Sequence, residues 1–254
     1  MTGRLQDTVA LVTGAGSGIG EATARALAAE GAAVAVLGRR RDRLEQVADA
    51  VRAGGGTALV VEADITDRRQ AVTAVESVVA GLGRLDTLVN NAGFMGVGQA
   101  VDSPIEEWEH MLAVNVQGLL YVTHAALPHL LSAAEDSPRR VADLVNISST
   151  AGRVARPGTA VYNLTKFGVN GFTEALRQEA VPKRLRVSVV EPGTVDTELS
   201  THLRDGVRQA IERQIEGMEL LRPEDVADAV SYIVTRDRRV AVNEILVRAA
   251  EQTW

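Results

Sequence analysis

The chain has 254 residues, 46% of them hydrophobic and 24% charged, which excludes a disordered, fibrous or low-complexity protein. Its 33 acidic and 27 basic residues leave a net charge of -6, whereas a nucleic-acid binder carries a basic excess to displace counterions. Cys is absent, which excludes disulfides, thiolate metal sites and a Cys nucleophile, and the four His show no zinc-like spacing, so no metal is expected. In chain order, short apolar runs predict strands at 8–12, 33–37, 58–61, 87–89, 141–147 and 186–190, with a weaker one at 242–247. Amphipathic stretches between them predict helices at about 18–29, 41–53, 67–81, 104–132, 160–180 and 224–235. The runs are apolar on consecutive residues, as in strands covered on both faces, and their alternation with helices implies a parallel sheet with right-handed crossovers. No Pro/Gly/Ser linker divides the chain, so 1–254 reads as one domain. Ser132 to Arg140 reads as a polar loop around Pro138, and 194–222 as an insertion beyond the sixth strand. The most apolar stretch, Leu112 to Leu131, is broken by Asn115, Gln117, His124, Pro128 and His129, and the N-terminus has no apolar signal core. The expectation is a cytoplasmic protein that engages neither membrane nor nucleic acid.

T-G-A-G-S-G-I-G, Thr13 to Gly20, follows the first strand and opens a helix. Gly14 permits a sharp turn, Gly18 lets backbone approach a pyrophosphate, and Gly20 lets the helix pack on the sheet, with Ser17 and Ile19 between them. The phosphate would rest on unpaired N–H groups at the positive end of the helix. The second strand ends V-L-G-R-R-R, with no acid before Asp42 to accept from a ribose 2′-hydroxyl. Three arginines at the start of a helix run against its dipole, and a 2′-phosphate accounts for them. Arg39 is the first choice for that contact and Arg40 the second, so NADP(H) is expected rather than NAD(H).

Four more groups carry chemistry. N-N-A-G (Asn90 to Gly93) follows the fourth strand, Asn115 lies mid-helix in M-L-A-V-N-V, N-I-S-S-T-A-G (Asn146 to Gly152) ends the fifth strand, and Tyr162 and Lys166 form Y-N-L-T-K. At i and i+4, Tyr162 and Lys166 share one helical face. A phenol of pKa near 10 is a poor proton carrier at neutral pH, and an ammonium about 4–6 Å away, with an oxidised nicotinamide, favours phenolate. Tyr162 is therefore expected to be shifted down, to protonate a carbonyl as hydride arrives and to deprotonate the alcohol in reverse. Ser148 and Ser149 can each donate to the carbonyl oxygen.

Together these motifs resemble the short-chain dehydrogenase/reductase family in its single-domain form, over essentially the whole chain. The resemblance implies a three-layer, doubly wound α/β Rossmann fold with a mostly or wholly parallel seven-stranded sheet. It also implies Ser149 rather than Ser148 as the catalytic serine, a second role for Lys166 on the nicotinamide ribose, and a relay water held by Asn115. It implies Asp64, beside Ile65, on the adenine, although Asp64 also fits a turn or cap for the helix near Asp67. Asn91, Ala92 and Gly93 would floor the cofactor, while Pro192 and Gly193 turn the chain so that Val195 and Thr197 hold the carboxamide.

The substrate is less legible. Pocket candidates are Phe94, Met95, Arg153 to Pro157 and the stretch 199–203. Arg153 or Arg156 would suit a substrate carboxylate. G-E-A-T-A-R-A-L-A-A-E-G-A-A-V-A-V (Gly20 to Val36), A-L-P-H-L-L (Ala126 to Leu131), T-K-F-G-V-N (Thr165 to Asn170) and V-N-E-I-L-V-R (Val242 to Arg248) are similar to clavulanate-aldehyde reductases and NADP-dependent 3-hydroxy acid dehydrogenases of the serine type. That likeness favours a small polar aldehyde, ketone or hydroxy acid. A ketoreductase of β-ketoacyl thioesters and a non-catalytic NADP-binding regulator are the alternatives. Apolar faces carrying Leu119, Leu120, Val122, Phe167, Val169 and Phe172 fit a homotetramer, with a dimer second.

Overall fold

The computed structural model describes residues 3–253, the side chains of Ser200, His202 and Asp205 excepted. Seven parallel strands form one sheet: β1 (Val9–Thr13), β2 (Ala33–Gly38), β3 (Ala58–Glu62), β4 (Thr87–Asn90), β5 (Ala142–Ile147), β6 (Leu185–Pro192) and β7 (Glu244–Val247). Their order across the sheet is β3-β2-β1-β4-β5-β6-β7. Helices α1 (Gly18–Ala29), α2 (Arg41–Ala53) and α8 (Pro223–Val234) supply one face, and α3 (Arg68–Leu82), α4 (Ile105–Leu112), α5 (Leu119–Asp136) and α6 (Ala160–Ala180) belong to the other half.

The period-two alternation of a strand sends neighbouring residues into different cores. Val9 and Leu11 of β1 join Leu37, Val75, Leu88 and Val122 on one side. Ala10 and Val12 join Leu27, Val36, Leu44 and Val230 on the other. Fully burying each such Leu or Val contributes roughly 1.5–3 kcal/mol, so continuous apolar runs are what a doubly covered sheet selects. Local signals set several helix ends. Asp67 caps α3 by accepting from the Gln70 N–H at 3.0 Å, and the Asp225 carboxylate accepts from the Arg222 N–H at 2.7 Å at the start of α8.

Two expectations fail. The polar loop predicted from Ser132 is helical as far as Asp136, because Ala133 and Ala134 continue the buried stripe of α5 while Ser132, Glu135 and Asp136 face water. The helix predicted at 104–132 is interrupted by a π-helical turn, Ala113–Gly118, between α4 and α5. Residues 194–222 contain a 3₁₀ turn, Glu198–His202, and α7 (Asp205–Gln214), beyond the C-terminal end of β6.

Candidate active site

The strand order reverses between β1 and β4, and the glycine turn is built at their C-terminal ends, where open α/β sheets bind ligands. The Asn91 and Ala92 N–H groups both donate to Thr13 Oγ1 at 3.0 Å, and Asn91 Nδ2 donates to the Thr13 carbonyl at 3.0 Å. Gly14 has φ +65, and a Cβ there would lie 2.8 Å from Ala92 Cα. A Cβ on Gly20 would lie 2.3 Å from the Gly14 carbonyl oxygen, so the close packing read from the sequence is present. Gly18 faces Thr197, whose Cγ2 would be 3.1 Å from an added Cβ. Ser17 caps α1 by position but makes no side-chain bond to it, and half-buried Ile19 packs on the core behind. The turn therefore offers an anion the uncapped, positive end of a helix.

The three arginines diverge. Arg40 Nη2 donates to Ser17 Oγ at 3.0 Å and to Glu198 Oε2 at 2.9 Å, and Arg41 pairs with Glu45 at 3.2 Å. Arg39 has no partner among the described residues and lines a cleft of about 610 Å³ with Arg41, Glu62, Asp64 and Gln70. Asp64 Oδ1 accepts from the Thr66 N–H at 2.9 Å and the Thr66 hydroxyl at 2.8 Å, closing a turn, while Asp67 is the helix cap. Ile65 is buried against the π turn: a Cβ on Gly118 would lie 2.7 Å from its Cδ1.

Beyond β6, Pro192 is buried and Gly193 donates to the Val247 carbonyl at 2.7 Å. Val195 bridges to Leu221, and Thr197 Oγ1 accepts from the Leu199 N–H at 3.3 Å.

At the other end, Ser149 starts a 3₁₀ turn, Thr150–Gly152, and its Oγ accepts from the Ala151 N–H at 3.1 Å. Tyr162 is buried near the start of α6 and hydrogen-bonds Ser149. Lys166 is also buried; its Nζ donates to the Ile147 carbonyl at 2.9 Å and stands 5.8 Å from the Tyr162 ring centre. Burial pushes the Lys166 ammonium down to about 8. Burial pushes the Tyr162 phenol up, and the Ser149 hydrogen bond opposes it. The downward shift expected for Tyr162 is thus absent from the protein alone, because desolvation outweighs its neighbours.

Ser148 Oγ points to the Lys166 carbonyl at 3.4 Å, away from Tyr162, leaving Ser149 as the serine in position. Asn115 lies within the π turn, which adds a residue to the helical turn and re-aims its side chain. Its Oδ1 accepts from the Phe94 N–H at 2.8 Å, and both amide hydrogens are used, on the Phe94 carbonyl at 2.8 Å and Thr165 Oγ1 at 3.2 Å. Asn115 therefore ties the loop after β4, with exposed Gly93 beside it, to α6.

Several structural partners here were not assigned from the sequence. Asn163, next to Tyr162, donates to the carbonyls of Ala151 at 2.6 Å and Val154 at 3.1 Å. Gln252 Oε1 accepts from the Thr194 N–H at 3.0 Å. Arg204 donates to the Asp102 carbonyl at 2.9 Å and pairs with Glu107 at 3.2 Å, pinning the 194–222 segment to the loop that carries Phe94 and Met95. Asn163 stood inside a quoted motif, but Gln252 and Arg204 carry no local signal. Of the two arginines that would suit a substrate carboxylate, Arg153 is held by Glu191 at 2.6 Å and also pairs with Glu244. In the pocket stretch 199–203, the side chains of Ser200 and His202 lie outside the described residues.

No helix among the described residues is long and apolar enough to cross a membrane. Solved structures share the fold closely. A serine dehydrogenase complexed with NADP+ is 32% identical over 97% of both chains, with a TM-score of 0.88. A 3-ketoacyl-(acyl-carrier-protein) reductase from Brucella melitensis complexed with NADH is 32% identical over 97% of this chain and 98% of that one, with a TM-score of 0.85. An uncharacterized oxidoreductase of Staphylococcus saprophyticus is 34% identical over 98% of each chain. The glycine betaine reductase ATRR of Emericella nidulans is 38% identical over 98% of this chain, which spans 19% of that protein's length. The family model for short chain dehydrogenase matches residues 8–208, and the chain belongs to that family.

Proposed function

We propose that the protein transfers hydride between NADP(H) and a small polar aldehyde or ketone, or the corresponding alcohol or 3-hydroxy acid. The carrying observation is half-buried Ser149 beside buried Tyr162, with buried Lys166 one turn further along α6, next to a glycine turn open to an anion. When bound, the dinucleotide supplies or accepts the hydride. Gly14, Ser17, Gly18, Gly20 and the floor Asn91–Gly93 would hold its phosphates, and Val195 and Thr197 its carboxamide. Arg39, without a partner among the described residues and lining the cleft at the ends of β2 and β3, would take the 2′-phosphate. Tyr162 Oη gives its proton to the carbonyl oxygen, and the Ser149 hydroxyl donates to the same atom. Lys166 holds positive charge behind the phenol, and the buried phenol needs that charge for its proton to leave.

Arg153 being engaged, Arg156 remains as anchor for a substrate carboxylate. Its guanidinium has no partner among the described residues, while its backbone N–H donates to Asn163 Oδ1 at 3.4 Å. A cytoplasmic homotetramer fits the exposed Leu120, Leu164 and Phe167 on α5 and α6. The test is oxidation of NADPH and NADH, read by the reduced nicotinamide's absorbance, against small aldehydes, ketones, hydroxy acids, a quaternary-ammonium aldehyde and acyl-thioester mimics. The quaternary aldehyde belongs there because one relative is named for glycine betaine. Turnover of small carbonyls with NADPH preferred is expected, and Arg39→Ala should erase the preference. Turnover of thioesters alone would favour the ketoacyl reading, to which the likeness of the Brucella reductase lends weight. Tight NADPH binding with no turnover would sink the enzyme reading.

A further inference from the structure

Glu191, the last residue before the Pro192–Gly193 turn, is fully buried. Its two oxygens are committed separately: Oε2 accepts from Arg153 Nε at 2.6 Å and Oε1 from Asn170 Nδ2 at 2.6 Å. Arg153 closes the 3₁₀ turn that begins at Ser149, and Asn170 lies one turn beyond Lys166 on α6. Asn170 Nδ2 also donates to the Gly152 carbonyl at 3.1 Å, and a Cβ on Gly152 would lie 2.8 Å from that nitrogen. Arg153 reaches onward to Glu244 on β7. A single carboxylate thus touches the serine turn and the tyrosine helix, and its own backbone leads into the turn proposed to hold the nicotinamide.

We propose that Glu191 is a positioning residue for the reaction: it sets the distance between Ser149 and Tyr162 by tethering the serine turn and α6 to the end of β6. The inference rests on the catalytic reading given above. A buried carboxylate is retained at a cost unless every oxygen is paired, and here both are. Glutamine at this position has one acceptor where two are needed, so one tether must open while the volume stays the same.

The test is Glu191→Gln, compared with wild type for kcat, KM, NADPH Kd and amide hydrogen exchange at Gly152, Arg153 and Val154. These amides bond only within the turn, to the Ser149 and Thr150 carbonyls at 2.8–3.2 Å. Their exchange should speed up, and kcat should fall about 10- to 100-fold with KM and NADPH Kd within about twofold, as expected when reacting groups are displaced by a fraction of an ångström. The variant Glu191→Gln/Arg153→Met should be no slower than the slower single variant, because both act through one contact. Unchanged exchange, or unchanged kcat in an active enzyme, would overturn the proposal. So would loss of NADPH affinity in step with kcat, which marks a general structural role. If Glu191→Gln does not fold, Asn170→Ala opens one tether alone, and the same outcomes decide. If the wild type reduces no carbonyl, the catalytic reading fails by itself, and the exchange rates still report whether Glu191 holds the turn.

Discussion

Two Arg–Glu pairs, one beside the glycine turn and one behind the serine turn, behave as different objects. Beside the glycine turn, Arg40 meets Glu198 at 2.9 Å with side chains 51% and 41% exposed. Behind the serine turn, Arg153 meets Glu191 at 2.6 Å, and the carboxylate is wholly buried. Water screens the first pair, which is worth at most about 1 kcal/mol and can be exchanged for another anion. The second cannot be exchanged, because removing one member strands a charge in the interior. The function proposed above needs both kinds of behaviour: a cofactor that comes and goes at one end, and reacting groups that stay fixed at the other.

The comparison can be broken in four ways. The largest effect belongs to the rigid end: Tyr162→Phe removes the proton donor without altering shape and should lower kcat by about 10²- to 10⁴-fold, with NADPH Kd unchanged by fluorescence titration. Arg153→Met leaves Glu191 buried with Asn170 alone and should cost about 3 kcal/mol, read by urea unfolding; a cost under about 1 kcal/mol would mean the two pairs are alike.

Lys166 gives a pH signature. Burial holds its ammonium at about 8 against an ordinary 10.5, so between those values the unfolded chain binds more protons and stability rises with pH. Lys166→Met lacks this contribution, so its stability advantage of roughly 3 kcal/mol below pH 8 should shrink towards zero near pH 10.5. Paired unfolding curves across that range check the sign. The smallest effect is at the open end. In the wild type Glu198 occupies Arg40, so Glu198→Gln should free Arg40 to join Arg39 on the 2′-phosphate, tightening NADPH about two- to fivefold and leaving NADH unchanged.

What the sequence revealed follows the range over which the forces act. Helices at 18–29, 41–53 and 160–180 match α1, α2 and α6 at both ends, because apolar period and end signals are local. That a serine at the end of β5 would meet Tyr162 and Lys166 was readable from short motifs on one strand end and one helix, the choice of Ser149 over Ser148 resting on the family resemblance. Glu191 directly precedes the Pro192–Gly193 turn and was passed over, since its partners are 38 and 21 residues away and nothing nearby calls for a charge. Arg153 and Arg156 could not be told apart, because a loop arginine facing solvent and one facing a buried acid look identical in sequence. The π turn at Asn115 was illegible because an added residue per turn leaves the surrounding apolar pattern almost unchanged.

Gln252 lies near the C-terminus, yet its side-chain oxygen accepts from the Thr194 N–H and would sit 2.1 Å from a Cβ on Gly193. The Gln252 side chain thus acts as a peg under the turn proposed to hold the nicotinamide, and its replacement is a route to tuning that turn from outside the pocket while leaving the fold intact.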